Sequence, residues 1–342
     1  MGDIETFQEE HPSLESYWRS IILFGRNVAS YKFALAQSLL DLSKEGKTEV
    51  TYGELAVPYS RHLCEHVEKA PKQATSQSSR FITACSNYND GSISYDQLIN
   101  TTVQLGFNNV IDAFHIVNNG ALPVQFYEKV PNQKKIILTD DVFKLDEITY
   151  SDNLMHEAEA RWNLVESAWS MGISRNLLDV AYDEESRLFF TNDSFRRKNI
   201  TSARDALNGY QKGKCFYCFD DITVDTGDDK LCDVDHFFPY TLQPLMPDIN
   251  LNGVWNLVLA CPSCNRGEDG KFAKVPAIKY LSRLSKRNEF LINSHHPLRE
   301  TLMSQTGDTA QKRHDFLQEM DKRAISLLIH RWDTAAIGEE VF

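Results

Sequence analysis

No stretch of this 342-residue chain approaches the roughly 20 consecutive apolar residues that a membrane-crossing helix needs. Met1 to Glu10 is acidic and lacks the basic start and apolar core of a secretory signal. Together these absences predict a cytoplasmic protein with no membrane partner. Gly2 and Thr6 fit a loose acylation pattern, but Asp3 and Glu5 beside them argue for a chance match. Internal repeats and low-complexity tails are missing too, which excludes solenoids and linker-like chains. Positive charge is in deficit: 36 Lys+Arg against 48 Asp+Glu give −12, the wrong sign for coating a polyanion. What remains, 42% hydrophobic and 25% charged residues, is ordinary for a globular chain long enough for two or three domains.

The deficit is unevenly spread. Residues 198–290 hold 12 Lys+Arg and 12 Asp+Glu, so the rest of the chain carries all of the −12. Within that neutral segment, Arg266 to Arg287 has seven basic and two acidic residues, a local +5. Such a strip suits either a phosphate backbone or a solvated helix face.

Seven cysteines in a chain with no export signal point to metal binding rather than disulfides. Four form two C-x-x-C pairs, Cys215/Cys218 and Cys261/Cys264. Each pair aims two thiolates at one point, and two pairs complete a closed tetrahedral shell suited to structural zinc. The 42 residues between Cys218 and Cys261 form an insert that the metal would pin at both ends. Cys64 and Cys85 lie in apolar segments and read as small buried hydrophobes. Cys232 reads as a strand-packing residue.

Apolar periodicity predicts helices over 15–44, 51–70, 78–88, 94–105, 152–170, 200–210 and 308–329. Short strands are expected within 124–130 and 135–139, a strand pair within 177–190, and a short apolar segment over 108–118. Trp162 and Trp169, at helical spacing, read as core. His295-His296-Pro297 reads as a helix-ending turn. In the insert, Leu231 to His236 and Val254 to Ala260 read as strands. Pro262 stands where a helix tolerates it, at the first position.

The insert holds Asp235-His236, Asn256 and, after the last cysteine, Asn265-Arg266. A neutral imidazole with an ordinary pKa of about 6.5 deprotonates water at cellular pH. One carboxylate and one amide leave most of a Mg2+ shell open for water and phosphate. Two strands then a helix, with these residues in this order, resemble the HNH endonucleases, whose core is called ββα-metal. The resemblance covers about 70 residues. It implies Asp235 and Asn265 as ligands of a catalytic Mg2+ or Mn2+, His236 as general base, and Asn256 as the residue that holds the loop and orients the base. This is an H-N-N pattern, with Asn265 where the family often has His. It further implies products with a 5′-phosphate and a 3′-hydroxyl. Arg266, Lys271 and Lys274 are candidate phosphate contacts.

The expected fold class is α+β. A mostly helical module of unknown role spans 1–195, a zinc-stabilised HNH domain 196–290, and a C-terminal helical extension 291–342. The expected function is a metal-dependent DNA endonuclease, by analogy a restriction or antiviral defence enzyme. The competing expectations are an RNA-directed or partner-guided nickase, and a zinc-stabilised adaptor that binds without cutting. DNA is the expected partner, with a protein partner on the acidic module. One active site per chain would need a homodimer, or two visits, to cut both strands.

Overall fold

The computed structural model describes residues 13–24, 29–74, 79–117, 120–147, 152–171, 179–193, 196–293, 298–335, 338 and 340–342. The His295-His296-Pro297 turn and the Gly2/Thr6 pattern lie outside them. The chain is mixed α and β and divides at residue 172 into two compact units, Pro12–Gly172 and Ile173–Phe342.

The first unit is a helical assembly with a small sheet. Its helices are α1 (Leu14–Phe24), α2 (Tyr31–Lys44), α3 (Tyr52–Lys69), α4 (Arg80–Asn89), α5 (Tyr95–Thr101), α6 (Val110–Ala113), α7 (Asp140–Glu147) and α8 (Asp152–Ser170). The expected single helix over 15–44 is two helices. Gly25 and Asn27, both poor helix formers, fall between them, and Ala29 forms a β-bridge with Ala74. Buried Lys32 donates to the carbonyls of Ile21 (3.0 Å) and Ile22 (3.1 Å), satisfying the end of α1. Helix α3 begins at a capping box: Thr51 Oγ1 accepts from Glu54 N–H, and Glu54 Oε2 accepts from Thr51 N–H. The expected helix 94–105 ends at Thr101 and continues as a π turn over Thr102–Gly106.

The sheet has β1 (Glu49–Thr51), β4 (Tyr127–Lys129) and β5 (Lys135–Leu138) in the antiparallel order β1-β5-β4, with Val50 opposite Ile136 and Tyr127 opposite Leu138. Strands β4 and β5 fall inside the expected segments. Strand β1 was not anticipated: three residues are too few to show a period. A short hairpin, β2 (Ile116–Val117) and β3 (Gly120–Ala121), ends the apolar segment after α6. Trp18 packs edge-on to Phe126 (5.0 Å) and Phe114 (5.9 Å), and Phe33 stacks on Trp162 (5.8 Å). Both Trp162 and Trp169 are core, and Cys64 and Cys85 are buried.

The second unit opens with an antiparallel sheet, β6 (Ala181–Asp183), β7 (Leu188–Asp193) and β8 (Arg196–Ser202), followed by α9 (Ala203–Gln211). The expected domain boundary at 195 therefore falls inside a paired hairpin, with Phe189 opposite Thr201 and Phe190 opposite Asn199. Both strands of that hairpin belong to the Ile173–Phe342 unit, and the division falls near 172. The helix expected from 200 begins at Ala203, because Thr201 and Ser202 finish β8.

Next come β9 (Asp233–His236), β10 (Leu257–Ala260), α10 (Pro262–Arg266), β11 (Val275–Pro276), α11 (Ile278–Asn293), α12 (Arg299–Thr306), α13 (Ala310–Leu328) and β12 (Arg331–Trp332). Residues past 291 are not an extension. Arg313 of α13 grips Glu289 of α11 with two 2.6 Å bonds, and β12 pairs with β11, Val275 opposite Arg331. Among the described residues, no helix is long and apolar enough to cross a membrane.

Candidate metal centre and adjoining cavity

Strands β9 and β10 form an antiparallel hairpin in which Leu257 faces His236, Val258 faces Asp235 and Ala260 faces Asp233. One cysteine pair precedes it in sequence and the other follows β10 directly. Phe216 N–H donates to Leu259 O (2.9 Å), which fastens the first pair to β10. Pro262 occupies the first turn of α10, where a missing N–H costs nothing, and Cys261 is the N-cap.

The ligand atoms of Cys215, Cys218, Cys261 and Cys264 all lie within 4.8 Å of one another, and all four residues are buried. The Sγ atoms of Cys218 and Cys261 are 3.7 Å apart. Four thiolates about 2.3 Å from one tetrahedral zinc would be about 3.8 Å apart, so the quartet fits zinc. Backbone amides serve the sulfurs: Cys261 N–H donates to Cys215 Sγ (3.3 Å) and Cys264 N–H to Cys261 Sγ (3.4 Å). With no cation, burial pushes the Cys215 thiol well up, while hydrogen bonds from the other three sulfurs pull Cys261 down. Buried thiolates gathered so closely need a cation to coexist. Cys232 stands apart from the quartet and is fully buried.

Beside the quartet lies a cavity of ≈ 620 Å³ lined by Asp235, His236, Asn265, Arg266, Lys271 and Phe272 together with residues of the 239–244 segment and Glu184. Asp233 and Asp235 are two apart on β9 and share a face. Asp233 Oδ2 accepts from Asn265 Nδ2 (3.1 Å) and Arg266 Nε (2.8 Å). Asp235 Oδ2 accepts from the Tyr217 hydroxyl (2.6 Å), and its Oδ1 lies 3.2 Å from Lys271 Nζ. Burial pushes the Asp235 carboxyl up, and Lys271 and Tyr217 offset only part of that.

His236 ends β9. Its Nε2 is 2.7 Å from Asn252 Oδ1. With that oxygen accepting, Nε2 carries the proton and Nδ1 is the basic nitrogen. Burial pushes the imidazole down, towards its neutral form.

Asn256 bonds the backbone around it. Its Oδ1 accepts from Phe238 N–H (2.8 Å), and its Nδ2 donates to the carbonyls of Phe238 and Leu251 (2.9 Å each). The contact with the histidine ring comes instead from Asn252, which sequence reasoning missed; nothing in its spacing marks it out. Tyr217 and Glu184 were also missed. Tyr217 lies inside the first C-x-x-C, and Glu184 reaches the cavity from the turn between β6 and β7.

Lys271 does not bear out its expected role as a phosphate contact. It is fully buried, and its ammonium donates to the carbonyls of His236 (2.9 Å) and Phe272 (3.1 Å) as well as facing Asp235. The basic strip is spent inward elsewhere too. Arg287, buried and pushed down to about 10 by burial, donates to the carbonyls of Val254, Trp255 and Leu257. Arg283 bonds the Phe216 and Tyr217 carbonyls and stacks over Phe219 at 4.0 Å. Of the seven basic residues, these three are structural. Arg266 and Lys274 are exposed. No family model, curated protein or solved structure matches the chain.

Proposed function

We propose that the Ile173–Phe342 unit is a metal-dependent endonuclease of the HNH, ββα-metal type that hydrolyses DNA phosphodiester bonds. The observation that carries this reading is the convergence of Asp235, His236 and Asn265 on one cavity beside the cysteine quartet. An antiparallel hairpin followed by a short helix supports it, since that is the element order the HNH motif requires.

The donor set fits a hard divalent cation. Asp235 offers a carboxylate and Asn265 an amide oxygen, both on the cavity wall, and oxygen donors suit Mg2+ or Mn2+. Such an ion, when bound, would offset the negative charge that grows on the phosphate. Lys271 at Oδ1 and the Tyr217 hydroxyl at Oδ2 hold the Asp235 carboxylate in place whether or not an ion is bound.

The chain's own residues account for the remaining steps. His236 Nδ1 takes the proton of the attacking water, while Asn252 holds the ring by its other nitrogen. Asn256 fixes the loop that follows β9, so the histidine cannot swing away. Arg266 and Lys274 bind neighbouring phosphates. The Pro12–Gly172 unit, lying in the acidic part of the chain, acts as a gate or a site for a protein partner.

Supercoiled plasmid incubated with the full chain, with and without added Mg2+, is the direct test. Nicking that depends on the cation, with 5′-phosphate ends, is expected. His236→Ala should lower the rate by about 10²–10⁴-fold while leaving zinc content unchanged. Wild-type turnover in that variant overturns the reading. Tight DNA binding with no cutting under any cation would make the unit an adaptor, and cutting of structured RNA alone would redirect it to RNA.

A further inference from the structure

Two exposed aromatic rings flank the His236 cavity, and apolar packing does not explain them. Tyr240 is 39% exposed, with its ring 5.3 Å from the His236 imidazole and tilted by 36°. Phe272 is 53% exposed and lines the same cavity. Other large apolar residues of this unit are also exposed, such as Leu245, Ile278 and Ile329, but they are aliphatic.

Phe272 also sits in the left-handed backbone region, with φ of 45°. A bulky residue pays on the order of 1–3 kcal/mol there, a strain that collects at functional sites. The strain is imposed by the metal helix itself. Phe272 N–H donates to Asn265 O (2.9 Å), Lys271 N–H donates to Cys264 O (2.7 Å), and Lys271 Nζ grips the Phe272 carbonyl. Glycine would suit this backbone better, yet the chain spends a phenyl ring on it and turns that ring to solvent at the cavity rim.

A π face beside a phosphate site has an obvious counterpart in a nucleobase. In a duplex the faces of internal bases are covered by their neighbours, so only an unpaired base can stack on a protein ring. We propose that Tyr240 and Phe272 are stacking platforms for unpaired bases next to the scissile phosphate, and that the preferred substrate is single-stranded, or locally opened, nucleic acid. This rests on the nuclease reading above and narrows its substrate.

The test measures anisotropy of a fluorescein-labelled single strand, as DNA and as RNA, and of the matching DNA duplex, at one salt concentration. The full chain carrying His236→Ala prevents cutting, and wild-type chain without added divalent cation is a second background. Stacking contributes about 1–3 kcal/mol per base, so Phe272→Gly should weaken single-strand binding by about 5- to 150-fold. Duplex binding should change little. Glycine suits the backbone, so the melting temperature should not fall. Phe272→Tyr and Tyr240→Phe should keep affinity, and Tyr240→Leu should lose it. Tighter binding of either single strand than of duplex supports the proposal, and the stronger of the two names the natural source. Unchanged single-strand affinity in Phe272→Gly, or equal losses on single strand and duplex, overturns it. If plasmid is still nicked in a His236-dependent way, the stacking idea falls alone. If nothing is bound and nothing is cut, both fall.

Discussion

Arg19 with Glu157 in the first unit, and Lys271 with Asp235 in the second, are both buried ion pairs, but they are finished differently. Arg19 and Glu157 meet as a bidentate fork, at 2.7 and 3.0 Å, which uses both carboxylate oxygens. Lys271 reaches only Oδ1 of Asp235, at 3.2 Å, the Tyr217 hydroxyl takes Oδ2 at 2.6 Å, and Asp235 lines a cavity. The contrast repeats in the histidines. His66 has a carboxylate on each ring nitrogen, Glu166 at 2.7 Å and Glu159 at 3.0 Å, and stacks on Trp162 at 3.5 Å. His236 has one bonded nitrogen and, among the described residues, no hydrogen-bond partner on the other. Charges closed on one another are architecture. Polar groups that line a cavity with bonding capacity left over are where chemistry is possible.

The largest effect that would break this comparison is loss of the cysteine quartet. Cys215→Ser or Cys264→Ser should abolish zinc binding and unfold the second unit. Structural zinc is worth roughly 10–16 kcal/mol in small zinc domains, as much as a typical domain's whole stability. Zinc content by elemental analysis and the melting curve should fall together. A zinc-free variant with an unchanged melting curve would show that the quartet is packing and not a metal site.

The next effect belongs to the first unit. Gln37 donates to Glu159 (3.0 Å), Gln73 donates to Glu166, and the Trp162 indole donates to Gln73 (2.9 Å), so the His66 cluster ties α2, α3 and α8 together. Burial alone would lower the His66 pKa, but Glu159 and Glu166 outweigh it and raise it from 6.5 to about 9. Burial raises Glu159, while His66, Gln37 and Lys69 bring it down from 4.5 to about 2. The histidine's contribution is therefore complete below about pH 6.5 and is lost as pH climbs through 9. The glutamate's is present above about pH 4.5 and is lost as pH falls through 2. His66→Gln should cost about 3–5 kcal/mol, the usual penalty for orphaning a buried charge, and leave zinc content intact. The stability gap between wild type and variant, by denaturant unfolding, should shrink from pH 7 to pH 10. A gap independent of pH would show that the imidazole is not charged in the fold.

How far all this was legible depends on the range of each contact. Cysteine pairs are three residues apart, and the capping box at Thr51 and Glu54 spans three as well, so both could be read from sequence. Pro262 at a helix start is equally local. The His66 cluster was invisible because its partners stand 93 and 100 residues away. The boundary at 195 failed for a similar reason: a charge tally cannot see that β7 and β8 pair. Lys271, Arg283 and Arg287 were read as a surface strip because a charge count has no direction, whereas all three point inward to carbonyls. Asn256 was readable from its motif position. Asn252, four residues earlier, was not, because any loop asparagine looks alike until its partner is known.

Asn252 supplies the smallest and most discriminating test of the comparison. If His236 is a reactive group held from behind, its bonded nitrogen should matter for turnover and not for folding. Asn252 lies in a turn and makes one local bond besides the ring contact, to Asn250 Oδ1 (3.0 Å) through its own N–H, which a substitution leaves in place. Asn252→Leu removes the acceptor at Nε2, frees the tautomer and lets the ring rotate. Loss of such an orienting partner typically costs 10- to 100-fold in activity, less than removal of His236 itself. The loss should appear in kcat with KM nearly unchanged, because Asn252 is not among the residues that line the cavity. Asn252→Asp retains an oxygen acceptor and should recover most of the rate. Were Asn252→Leu to nick plasmid like the wild type, His236 would be as closed a residue as His66, and the distinction between the two units would fail at its central residue.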